Sequence, residues 1–189
     1  MFAIKRAFVF LTIVLVGGFF SVAHAMSPQY DLMKAIKDRD INKMTELLSK
    51  GVSPDTRQRS DGMPAFMMAV DGGDMDVVKL LLKYHADPDV AEETRGETAL
   101  MRKAGAGDVP MVKLLLEHHA NPNKTDISQE TALIKAVRGR KLRVVSLLLE
   151  AGADPNVQDL TGKSALEYAR LSRSRRMIDV LKEAGAMDY

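Results

Sequence analysis

His85, His118 and His119 are candidate metal ligands, since neutral imidazole binds first-row ions well. His85 and His119 stand 34 residues apart in matching phrases, Leu81-Leu82-Lys83-Tyr84-His85-Ala86-Asp87-Pro88 and Leu115-Leu116-Glu117-His118-His119-Ala120-Asn121-Pro122. Equivalent sites in stacked layers lie about 10 Å apart, too far to share an ion held by bonds of about 2 Å. The chain has no cysteine, so neither a metal nor another cofactor is expected. Met63, Met67, Met68 and Met75 form a thioether cluster of the kind that binds copper(I), fills irregular cores or offers an adaptable surface. Gly162-Lys163-Ser164 looks like the end of a phosphate-binding loop, but that motif needs glycine where Val157 stands and a strand before it. No Gly-x-Ser-x-Gly, His-Glu-x-x-His or Cys-His pattern is present, so no enzyme is expected.

The elements that carry these residues repeat. With Gly51, His85, His119, Gly152 and Gly185 as markers, the spacings are 34, 34, 33 and 33. A fixed period in this range means stacked units that cannot bury their apolar faces alone. Each unit holds two apolar helical segments and a loop. The first segment opens at Pro64, Thr98, Thr131 and Ser164, residues suited to helix starts. The second runs through Val77–Leu82, Met111–Leu116 and Val144–Leu149, with Asp74 and Asp108 as starts. It ends at the marker, a place for left-handed backbone, before Asp/Asn-Pro turns the chain into a polar loop.

The first 25 residues are of another kind. Lys5 and Arg6 precede an apolar run from Ala7 to Phe20, then Ala23-His24-Ala25. This pattern predicts a secretory signal peptide cleaved after Ala25 and an exported protein, with the periplasm as destination. The apolar run is short of the ~20 residues of a spanning helix. Of 27 basic and 25 acidic side chains, the leader removes two basic ones, leaving a neutral mature chain and no basis for nucleic-acid binding. Charge is uneven: residues 26–97 carry 10 basic and 14 acidic groups, residues 98–189 carry 15 and 11. In a solenoid that asymmetry becomes a dipole along the stack.

The phrases at Thr131-Ala132-Leu133-Ile134-Lys135-Ala136 and Val144 to Asn156 resemble the opening and close of an ankyrin repeat, and the resemblance extends over about residues 29–186. It implies an all-α ankyrin-repeat solenoid of about five helix pairs, the outer two acting as caps, joined by β-hairpin-like loops. The units fall at about 29–52, 62–86, 96–120, 129–153 and 162–186 of one domain, 26–189. Met67, Met101, Ile134 and Glu167 replace the family's loop-bracing histidine. Histidines replace glycine at 85 and 119, where left-handed backbone costs roughly 1–2 kcal/mol. Lys103 stands where Ala69, Ala136 and Ala169 pack; either it snorkels outward or a one-residue shift brings Ala104 there.

The resemblance further implies a non-catalytic monomer that binds one protein partner through loop tips and first helices on its concave side. Carried over unit by unit, the contact row is Met63 and Met68, Glu97 and Arg102, Glu130 and Lys135, and Lys163 and Tyr168. Ile127 and Leu160 hold matching loop-tip places as apolar anchors. Arg138, Arg140, Lys141 and Arg143 recur in part as Arg173 and Arg176, with Arg170 and Arg175 nearby, and should form a basic ridge at the turns between paired helices. That ridge suits an acidic protein patch or a membrane surface. Three kinds of role fit: accessory factor for a periplasmic enzyme such as a catalase, immunity protein against a toxin, or structural envelope protein.

Overall fold

The computed structural model describes residues 27–188; the predicted leader lies outside them. Among the described residues, ten helices form five consecutive pairs: α1 (Pro28–Asp38) and α2 (Ile41–Ser49), α3 (Ala65–Gly72) and α4 (Met75–Lys83), α5 (Ala99–Ala106) and α6 (Val109–Glu117), α7 (Ala132–Arg138) and α8 (Leu142–Glu150), α9 (Ala165–Leu171) and α10 (Arg175–Glu183). The loops between pairs fold back as hairpins, closed by single bridges at Arg57–Pro64, Ala91–Thr98 and Gln158–Ser164. This is the all-α solenoid of helix pairs that the resemblance implies.

The helix starts follow from local chemistry. Thr98 and Thr131 hydroxyls accept from the amides three residues on, and Asp40, Asp74 and Asp108 do the same for α2, α4 and α6. One core then runs through the stack, with Leu32, Phe66, Leu100, Leu133 and Leu166 at matching places on the first helices. α10 contributes only Met177 and Leu181 to it, as a cap must when its outer side faces water. The tightest helix contact joins α5 and α7. Glycine permits it: a Cβ on Gly139 would stand 2.6 Å from the Gly105 carbonyl oxygen.

Backbone with positive φ marks three places in each unit. The first is the expected one, Gly51, His85, His119, Gly152 and Gly185. The second, in the loop tip, is Gly62, Gly96, Gln129 and Gly162; the third, between paired helices, is Arg39, Gly73, Gly107, Arg140 and Arg173. Gly51 to Gly62 and His85 to Gly96 are eleven steps, whereas His119 to Gln129 and Gly152 to Gly162 are ten. The change from a 34- to a 33-residue period therefore sits wholly in the hairpin loop. The helices keep one register, so no shift occurs at Lys103. That residue is half-buried, and Ala104 takes the place of Val70 and Val137.

A second repeating device joins neighbouring loops. Asp55 Oδ1 accepts from the Asp87 amide (2.9 Å), Asp89 from Asn121 (2.8 Å), Asn123 from Asp154 (2.7 Å) and Asn156 from Met187 (2.8 Å). Asn123 and Asn156 also donate through Nδ2 to the carbonyls of Gly152 (3.1 Å) and Gly185 (3.2 Å). Asp55 and Asp89 have no such donor, and theirs are the joints where His85 and His119 hold the left-handed place.

Candidate binding face

The second, third and fourth hairpin tips are each organised around a buried carboxylate, where the first has Gln58. Asp159 accepts from the amides of Thr161 (2.8 Å) and Lys163 (3.1 Å), the Thr161 hydroxyl (2.7 Å) and the Tyr168 hydroxyl (2.5 Å). Burial pushes its pKa up, but the bonds from Tyr168, Thr161 and Lys163 outweigh this and hold it at about 2. Glu92 is depressed in the same way: burial is overcome by the Thr94 hydroxyl and by loop amides including those of Thr94 and Arg95. Asp126 accepts from the Ser128 and Glu130 amides, each at 2.9 Å. Successive tips are stitched by backbone bonds, Ile127 N–H to Arg95 O and Leu160 N–H to Ser128 O, both 2.9 Å. Ile127 and Leu160 are thereby fixed while their residues stay 64% and 65% exposed.

The first-helix row behaves differently from expectation. Arg102 pairs with Asp71 of the preceding unit at 2.5 Å and with Glu97 at 3.2 Å. Lys135 bridges Asp126 (2.8 Å), Glu130 (3.2 Å) and, one unit back, Glu97 (3.5 Å). Glu130 also binds Arg138, whose guanidinium lies over the Tyr168 ring, 5.3 Å from its centroid. The Tyr168 hydroxyl, raised in pKa first by Asp159 and then by burial, completes the line. Glu97, Arg102, Glu130, Lys135 and Tyr168 thus form one charge row from Asp71 to Asp159.

The expected contact row is thus also an internal network of the fold. The Glu130 side chain is only 10% exposed, and its oxygens are taken up by Lys135 and Arg138. The physical reason is reach: long side chains repeated at unit spacing meet their opposites on the next layer before they meet a partner. Met63 and Met68 pack against the core edge, partly buried. Lys163 reaches only the Thr161 hydroxyl (3.1 Å) and, with Ile127 and Leu160, remains available on this face.

The basic ridge also divides. Arg140, Arg143, Arg173, Arg175 and Arg176 are exposed, with no ion pair among the described residues. Arg138 is drawn to Glu130 and Tyr168, and Arg170 to Asp188. Lys141 lies over Gly107, where an added Cβ would come within 2.5 Å of its Cδ. Sequence reading missed Leu171, 68% exposed beside these arginines, and the left-handed backbone of Arg140 and Arg173. Gly73 and Gly107 at the same period were the signal for the latter.

Helix pairs, hairpin loops and an unbroken inter-unit register define a repeat solenoid with a built loop face. A family model for ankyrin repeats, in three copies, matches residues 32–126 and again 100–188. The chain belongs to the ankyrin-repeat family, whose repeats are generally protein–protein interaction modules. No curated protein matches it significantly.

Proposed function

We propose that this chain is an exported, non-catalytic docking module that binds one protein partner in the periplasm through its loop tips. The observation that carries the proposal is the pair Ile127 and Leu160. Two large apolar side chains stand exposed on adjacent tips that backbone hydrogen bonds hold in register. Rigid apolar anchors lose little freedom on binding. Lys163, Met63 and Met68 flank them on the same face. Export rests on the leader sequence, and its test is N-terminal sequencing of protein from a periplasmic fraction, which should begin at Met26. Capture from a periplasmic extract should be lost for Ile127→Ser with Leu160→Ser while the unfolding midpoint holds. Undiminished capture sinks this surface.

A second reading, contact with an anionic envelope surface, is favoured by Leu171 projecting among five arginines that have no ion-pair partner. Its mark is binding that falls steeply with salt and on Arg140→Glu plus Arg173→Glu, with Ile127→Ser and Leu160→Ser having no effect.

A further inference from the structure

A groove at the other end of the stack, between α1 and the first hairpin loop, encloses about 560 Å³. Volumes of roughly 300–1,000 Å³ are typical of sites that hold a ligand. Its floor is apolar, made by Tyr30 and Met33, and its rim carries Lys34, Lys37 and Arg59. None of these three cations has an ion-pair partner among the described residues. Arg57 also lines it, but is tied to the carbonyls of Gly62 and Ala91 and to Glu93. Asp38 is the one carboxylate on the wall. The groove is therefore basic in the half of the chain that is acidic overall.

The stack explains why a groove forms here. Every later hairpin has another hairpin before it, whereas no described loop precedes residues 57–64. Arg59 occupies the place of Glu93, Ile127 and Leu160; the amides of the last two donate to a carbonyl of the preceding tip, while that of Glu93 does not. The Arg59 amide has no acceptor among the described residues. An unpaired turn N–H beside apolar side chains can donate to a backbone carbonyl of a bound peptide. Residues 1–26 contain no acidic side chain, so this chain's own leader cannot neutralise the rim.

We infer that the groove binds an extended acidic peptide segment of the partner. Its backbone carbonyl meets the Arg59 amide, an apolar side chain rests on Tyr30 and Met33, and its carboxylates face Lys34, Lys37 and Arg59. The inference rests on the protein-binding reading but concerns a different surface from Ile127 and Leu160.

The test is fluorescence anisotropy on the full chain with a labelled peptide of about nine residues, a central leucine flanked by aspartates. Saturable binding is expected, weakened at least about tenfold by Lys34→Glu with Arg59→Glu and strongly reduced by salt. Tyr30→Ser should weaken it with the rim charges intact. All three positions are exposed, so circular dichroism should be unchanged. Equal affinity for the charge-reversed variant, or for an analogue with lysines in place of the aspartates, overturns the inference. So does sedimentation with phosphatidylglycerol vesicles that needs Lys34 and Arg59 when the peptide does not bind. Either failure leaves capture through Ile127 and Leu160 standing, because that readout uses other residues.

Discussion

The middle of the first-helix face and the groove at its N-terminal end use the same kinds of residue to opposite ends. In the middle, Glu97, Arg102, Glu130, Lys135 and Arg138 find one another across and within units. At the end, Lys34, Lys37 and Arg59 have no ion-pair partner among the described residues. The difference is position in the stack. An inner charged side chain has a neighbour one layer away on both sides, while an end one has a neighbour on one side only. Charge in the middle of this face therefore serves the fold, and charge at its N-terminal end carries the proposed peptide site.

The sharpest way to break this contrast is to delete the hub. Glu130→Ala takes from Arg138 its carboxylate partner and from Lys135 one of three, and should cost about 1–2 kcal/mol in urea unfolding. Lys34→Ala should stay within about 0.5 kcal/mol. Equal losses would erase the distinction.

Acid probes the loop carboxylates next. The folded pKa of Asp159 is about 2, below the roughly 3.9 of an unfolded aspartate. Its stabilisation is therefore complete above about pH 4 and is lost as pH falls toward 2. Glu92, also depressed, adds in the same direction. Unfolding midpoints of Asp159→Asn should decline less steeply than wild type over that window.

Two smaller effects should raise stability. His119→Gly relieves left-handed backbone at φ 64 and should gain about 1 kcal/mol; a lower melting temperature would count against this. Asp89→Asn supplies the missing donor toward the His119 carbonyl, as Asn123 does for Gly152, and should gain about 0.5–1 kcal/mol. A neutral or destabilising result would show that the asparagine ladder owes nothing to its second bond.

Period and helix phrasing made the solenoid, its caps and the left-handed His85 and His119 legible, because each is set by a residue's own backbone preference. The ladder of Asp55, Asp89, Asn123 and Asn156 also repeats in the sequence, but its bonds cross units, so local reading gave these residues no role. The pairing within the charge row was hidden for the same reason: Glu130 and Lys135 reveal their partners only when the layers are stacked. Arg140 and Arg173 lack the glycine that normally advertises positive φ. The N-terminal groove arises where α1 and the first hairpin loop meet across units, which no residue type encodes.

The central claim is that charges of adjacent units hold one another. A double-mutant cycle on Glu97→Ala and Lys135→Ala, read by urea unfolding, tests it most directly, since their 3.5 Å contact joins two units and both side chains are mostly buried. A favourable coupling of about 1 kcal/mol is expected, and losses that simply add would contradict it.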